Sequence, residues 1–186
     1  MIQIREKGSP INALLTLAHQ IRNITSGSAL LVVNQHIDIA LDCGADGIQL
    51  SERSQPLTTP IQQSISDLLI GRSVHSLAAA LAAEANGADF LIVGTIFTSQ
   101  SHPTIPPMSP SLLNSIAQRI RIPFIGIGGI NSSNINKVIE AGAWGAAVIS
   151  TILSSKDPGQ TSKGLKETMR RSWRESETTY GRPPID

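Results

Sequence analysis

The sequence has few aromatic residues: three Phe, two Trp and one Tyr make up 3% of 186 residues. A core built on rings is therefore excluded, and Ile, Leu, Val and Ala must fill the interior, within an apolar share of 40%. There is one cysteine, Cys43, so no intrachain disulfide can form. Neither charge is in excess: 15 Lys and Arg stand against 14 Asp and Glu, a formal net of +1. No broad cationic field exists to attract nucleic acid or an anionic membrane. Long hydrophobic runs are missing as well, since the stretches 29–33, 77–83 and 146–149 fall far short of the ~20 apolar residues of a membrane span. The chain opens Met-Ile-Gln-Ile-Arg-Glu-Lys, without the basic-then-apolar order of a secretion signal. The expectation is a soluble cytoplasmic protein with no nucleic-acid or membrane partner.

What is present is alternation. Short β-rich runs at 1–5, 29–34, 47–50, 68–73, 89–93, 123–127 and 145–150 are separated by stretches of helical spacing, among them 12–24, 76–86, 110–120 and 132–141. Strand and helix in strict turn predict a parallel sheet covered by helices. Ser9-Pro10, Ser109-Pro110 and Asn131 to Ser133 supply cap chemistry at helix starts, and Gly44, Gly87 and Gly142 stand where helices should stop. The phrases Cys43-Gly-Ala-Asp-Gly47, Asn86-Gly-Ala-Asp-Phe90 and Ala141-Gly-Ala-Trp-Gly145 echo one another, each ending a helix and opening a strand. A repeated βα unit explains them. Open doubly wound sheets share this alternation, but a barrel places its phosphate site after its last two strands, where Gly128-Gly129 and Ser150-Thr151 stand here. The predicted fold class is α/β, a (β/α)₈ TIM barrel with about seven strands remaining. One domain is expected over 1–175, in keeping with ~100–200 residues per domain, followed by a polar, Pro- and Gly-containing tail over 176–186.

Gly128 and Gly129, with the Val148 to Thr151 phrase, are the strongest local signal. Glycine lets backbone N–H groups close on a phosphate, and a short helix starting near Thr151 would add its positive end. The alternative is that the two glycines only make a turn. On the first strand Gln3, Arg5 and Lys7 share one face and Ile2 and Ile4 the other. In a barrel the polar trio points inward, where two cations call for an anionic ligand; on a solvated edge strand it needs none. Ser73, His75 and Thr95 follow later strands, and the long loop 97–110 carries His102, either a mobile proton carrier or an exposed loop histidine. His75 is a candidate cap for the next helix, and His19 and His36 have no partner visible in sequence. Asp38, Asp42, Asp46 and Glu52 lack the spacing of a common metal site, so no metal is predicted.

Taken in order, Gln3-Ile-Arg-Glu-Lys7, Val33-Asn34, Gly44-Ala-Asp-Gly-Ile48, Gly71-Arg-Ser-Val-His-Ser76, Gly94-Thr-Ile-Phe97 and the segment 125–130 resemble the thiamine phosphate synthase/TenI family, from Met1 to about Leu153. The resemblance implies a (β/α)₈ barrel whose second strand carries the Gln-x-Arg-x-Lys phrase, so that this chain lacks the first βα unit. It further implies that Gln3, Arg5, Lys7, Asn34 and Ser73 face a pyrimidine diphosphate, that Thr95, Ser99 and Ser101 line the substrate loop, and that Gly128, Gly129, Ile149 and Ser150 hold a thiazole phosphate. The family's synthases hold a magnesium diphosphate through two aspartates, where this sequence has Gln35 and Ser54. They also carry a lysine in a Thr-x-Thr-Lys phrase that here reads Ser99-Gln-Ser-His102. The phrases at 48–50 and 71–77 look more like the TenI branch, whose characterised type is a thiazole tautomerase. The position of that branch's acid/base histidine is Thr95, which leaves His102 as substitute proton carrier and Ser73 to orient the substrate. The reading is therefore a tautomerase-like isomerase on thiazole phosphate carboxylate, with two alternatives: a thiamine phosphate synthase, or a non-catalytic binder of a thiamine precursor. No cofactor is expected, magnesium only with the synthase reading, and the expected partners are small phosphorylated thiazoles or pyrimidines and, possible for an open barrel edge, a second copy of the chain.

Overall fold

The computed structural model describes residues 1–6, 8–54, 59–99 and 106–175. They group into two compact units, residues 1–73 with 86–89, and residues 74–85 with those from 90 onward.

The first unit runs β1 (Ile2–Ile4), α1 (Ile11–Thr25), β2 (Leu31–Asn34), α2 (Ile37–Asp42), β3 (Gly47–Leu50), α3 (Thr59–Ser64) and β4 (Leu69–Val74). Its strands are parallel and pair in chain order, with Ile4 opposite Val33, Val33 opposite Ile48 and Ile48 opposite Ile70. That register lines up one apolar face. Ile4, Val33 and Ile48, with Leu31 and Leu50, bury against Leu14 and Ala18 of α1 and Ile39 and Ala40 of α2. The two-residue period turns Gln3, Asn34, Gln49 and Ser73 to the opposite face.

The second unit runs α4 (Leu77–Ala85), β5 (Phe90–Gly94), α5 (Pro110–Ala117), β6 (Phe124–Ile127), α6 (Ile135–Glu140), β7 (Gly145–Ala147), α7 (Ser150–Leu153) and α8 (Pro158–Glu175). Its strands are also parallel, Ile92 facing Ile125 and Gly126 facing Ala146. Phe124, Leu91, Ile96, Leu113, Ile116, Val138 and Ile139 are buried. Gly126 leaves room for Val138, which would collide with a Cβ there. Parallel strands alternating with helices, seven strands in all among the described residues, are the α/β architecture expected of the sequence.

The echoed Gly-Ala-Asp phrases have a physical meaning. Each glycine follows a helix with positive φ, +61° at Gly44, +79° at Gly87 and +99° at Gly142. Each aspartate then pins a neighbouring strand: Asp46 Oδ2 accepts the Leu31 N–H at 2.7 Å, and Asp89 Oδ2 accepts the Ile70 N–H at 2.7 Å. Asp46 also takes the Arg22 guanidinium at 2.7 Å. Burial works against the Asp46 carboxylate, but the Leu31 amide and Arg22 outweigh it and hold its pKa below the ordinary value. In the third phrase Trp144 replaces the acid, and its backbone N–H donates to Phe124 O at 2.8 Å.

Several expected boundaries move. The last strand stops at Ala147, and Ser150 opens α7 instead of ending β7. Helix α6 begins at Ile135 because the side chains ahead of it satisfy a turn: Asn131 Oδ1 accepts the Ser133 N–H at 2.9 Å, an Asx turn. Pro10, not Ser9, is the first-helix cap residue, with no side-chain bond. Ser109 does cap α5, accepting the Ser111 N–H. At the start of α4 the Ser76 Oγ accepts the Ala79 N–H at 3.1 Å, a cap bond. His19 has a partner after all, Asp42 at 3.0 Å, both exposed.

Candidate functional site

The polar face of the first unit carries a short ladder of side chains across the strands. Gln3 Nε2 donates to Asn34 Oδ1 at 3.3 Å, and Gln49 Nε2 donates to Ser73 Oγ at 3.0 Å. Asn34 and Gln49 are opposite one another in register. Gln49 is 1% exposed, and among the described residues no donor reaches its Oε1. A buried amide oxygen without a donor costs about 1–3 kcal/mol, which a fold tolerates where the group has another use.

Above this ladder β2 ends in a tight turn. His36 N–H donates to Asn34 O at 2.9 Å across Gln35, whose φ is +65°. A left-handed residue other than glycine is strained by about 1–2 kcal/mol, and such residues cluster at functional sites. The turn borders a cavity of 220 Å³ whose polar lining is Arg5, Glu6, Asn34, Gln35 and His36. Arg5 is exposed and Gln3 half-buried, so the face expected to be inward keeps its cation in reach of solvent. Of the two isoleucines expected to meet helices, Ile4 is buried but Ile2 is 43% exposed. Lys7 lies outside the described residues.

After β3, Ser54 Oγ bonds both Ser51 N–H at 3.1 Å and Ser51 Oγ at 2.9 Å. Arg72, next to Ser73 on β4, donates to the Ser51 and Ser54 carbonyls at 3.2 and 3.0 Å. Burial lowers the Arg72 pKa. Its guanidinium brings positive charge to the turn.

In the second unit the Gly128-Gly129 loop lies against the segment after β5. Gly128 has φ +101° and Gly129 +62°. A Cβ on Gly128 would strike Thr95, and one on Gly129 the carbonyl oxygens of Phe97 and Thr98. Only glycine allows this approach. The loop borders a cavity of 440 Å³ lined by Ile96, Phe97, Thr98, Pro107, Ser109, Pro110, Gly129, Asn131 and Asn134, of a size that takes a small organic ligand. Thr95 and Ser99 are half-buried beside it in sequence, while Ile149 is 55% exposed and Ser150 exposed at the start of α7. Ser101 and His102 lie outside the described residues. No group of three or more His, Cys, Asp or Glu among the described residues could hold a metal ion. No helix among them is long and apolar enough to cross a membrane.

Three polar residues at these places, Gln49, Arg72 and Asn134, escaped the sequence reading as individuals, and Thr151 was read only as the start of a short helix. Gln49 had a signal, a polar residue between apolar neighbours on a strand; the others depend on partners 18–21 residues away or on loop geometry.

Residues 1–152 match the family described as thiamine monophosphate synthase. A thiamine-phosphate synthase of Gloeobacter violaceus is 37% identical over 92% of this chain, which spans 50% of that protein. One of Shouchella clausii is 35% identical over 91% of this chain and 82% of that protein. Among solved structures, thiamine phosphate pyrophosphorylase from Pyrococcus furiosus superposes with a TM-score of 0.84 at 32% identity, covering 92% of this chain and 83% of the other. Two of these relatives are described as synthases, one as a pyrophosphorylase and none as a tautomerase, so the expected isomerase is not the reading they favour.

Proposed function

The chain belongs to the thiamine monophosphate synthase family, and we propose that it makes thiamine phosphate in the cytoplasm by joining a hydroxymethylpyrimidine diphosphate to a thiazole phosphate. The observation that carries this reading is the 35% identity to a thiamine-phosphate synthase of which the chain covers 82%. In the proposed reaction the thiazole nitrogen bonds to the pyrimidine's exocyclic methylene carbon. The carbon–oxygen bond to the diphosphate breaks, and pyrophosphate leaves with its electron pair.

Each unit contributes chemistry suited to one substrate. Arg5 meets the diphosphate charge, and a leaving group that gains negative charge is stabilised by a cation already in place; Lys7 is the candidate for a second. Gln3, Asn34 and Gln49 offer amide donors and acceptors to an amino-substituted heterocycle. Gly128 and Gly129, with Ile149 and Ser150, receive the thiazole phosphate on backbone N–H groups.

The family's synthases use magnesium on the diphosphate, and the residues present do not fit it. Gln35 and Ser54 provide no anionic donor, Ser54 Oγ is engaged by Ser51, and the Arg72 guanidinium lies on the same turn. A divalent cation prefers carboxylate oxygens, so no step here is routed through one.

The same neutral Gln35 and Ser54 favour a second reading, a thiazole tautomerase in which His102 moves the proton and Ser73 orients the substrate. Arg5→Gln separates the two: the synthase reading expects turnover of both substrates to fall by at least about tenfold, and an unchanged synthase rate in this variant would refute Arg5's role. Isomerisation of the thiazole carboxylate phosphate that is lost in His102→Ala, without any thiamine phosphate formed by the wild type, supports the second.

A further inference from the structure

The four carbonyls of the glycine loop each have a donor. Ile127 O accepts the Ile96 N–H at 2.9 Å and Gly128 O the Phe97 N–H at 3.1 Å. Gly129 O accepts Asn134 Nδ2 at 2.9 Å, and Ile130 O accepts Thr151 Oγ1 at 2.6 Å. The first two are backbone bonds any sequence could make. The last two need particular side chains.

Asn134 is the cap residue of α6, yet its side chain makes no cap bond. It reaches back instead: Nδ2 to Gly129 O, and Oδ1 to the Asn131 N–H at 2.9 Å. Giving up a helix cap forgoes about 1 kcal/mol, so this amide serves the loop at its helix's expense. Thr151 lies 21 residues beyond Ile130, and its hydroxyl ties the loop after β6 to α7, where Ser150 stands.

We propose that Asn134 and Thr151 are positioning residues for an anionic, phosphate-bearing ligand, an inference that rests on the phosphate reading of Gly128 and Gly129. A phosphate is repelled by a carbonyl oxygen and attracted by an N–H, so a loop that binds one must keep its carbonyls turned away. Asn134 and Thr151 hold the two carbonyls that no backbone donor among the described residues holds. Asn134 lines the 440 Å³ cavity together with Gly129, so its donor acts at the edge of the space the ligand takes.

The test is calorimetric titration of the full chain with the thiazole phosphate. Thr151→Val keeps the shape and removes the hydroxyl, and binding should weaken about fivefold, the worth of one hydrogen bond. Thr151→Ser restores the donor and should return to within about twofold. Asn134→Asp is the sharper variant. Aspartate caps helices as well as asparagine, so a residue serving only α6 would tolerate it. As a loop positioner it loses the donor to Gly129 O and sets a carboxylate beside the anion, and binding should fall by more than about tenfold while the melting temperature drops by only the roughly 2–4 °C of one lost hydrogen bond. Affinities of Thr151→Val and Asn134→Asp equal to wild type would overturn this inference alone. A wild-type chain that does not bind the thiazole phosphate would overturn the phosphate reading and this inference with it.

Discussion

Replacing Gln49 by methionine should make the protein more stable and less active at once. Gln49 is 1% exposed, so whatever it contributes is exchanged entirely inside the protein. Methionine has nearly its length and volume and adapts to the same space. The substitution removes the Nε2 bond to Ser73 Oγ at 3.0 Å, a loss of about 1 kcal/mol, while the contact with Leu50 O at 3.4 Å is too long to weigh much. It also removes Oε1, which has no donor among the described residues and whose burial costs about 1–3 kcal/mol. The balance favours the variant by about 1 kcal/mol, or roughly 2–4 °C in melting temperature for a chain of this size. On the proposed reading the same amide faces the pyrimidine beside Asn34, and Ser73 loses its donor, so kcat/KM should drop at least about tenfold. Thermal unfolding followed by circular dichroism and a steady-state assay read the two effects separately. A melting temperature lowered by several degrees would refute the reasoning, because it would mean that Oε1 is satisfied and the amide is a structural bond.

Asp46→Asn should destabilise the chain by about 1 kcal/mol at pH 7, a figure kept small because the aspartate side chain is 34% exposed, and urea unfolding measures it. Since the folded-state pKa lies below the ordinary one, the carboxylate's contribution is complete above about pH 4 and is lost as pH falls through the folded value; wild type and variant should converge in acid. Gly129→Ala, with φ +62° and two carbonyl oxygens in the path of its Cβ, should abolish thiazole phosphate binding and cost more than about 2 kcal/mol, whereas Gly145→Ala, with nothing within 4 Å, should leave binding unchanged in the same titration. Pyrophosphate binding by the native chain should be insensitive to EDTA, and the double variant Gln35→Asp/Ser54→Asp should gain a magnesium dependence that calorimetry detects.

Much of the fold was legible because its signals are local. Alternating short strands and helices announced the parallel sheet, and β3 falls on the very residues expected, Gly47–Leu50. The glycine after each helix was readable from the need for positive φ. The role of Asp46 and Asp89 was not, because a carboxylate pinning an N–H at the start of a neighbouring strand is visible only once the strands are in register. The same holds at the site. Gln3 and Asn34 were marked by strand parity and by family resemblance, but Gln49 and Ser73 meet across 24 residues and only the β3–β4 register joins them. Asn131 to Ser133 read as the cap chemistry ahead of α6, and local sequence cannot show that the next residue, Asn134, reaches back to the loop instead of capping forward. Arg72 looked like one more residue of a family phrase, and its hold on the Ser51–Ser54 turn required a turn whose shape the sequence does not specify.

The most direct measurement of the central claim is phosphorus NMR of the purified full chain incubated with hydroxymethylpyrimidine diphosphate and thiazole phosphate. The account predicts that thiamine phosphate and pyrophosphate accumulate in equal amounts, at a rate that requires the protein. Both substrates left unchanged, with resonances that never shift in its presence, would contradict it.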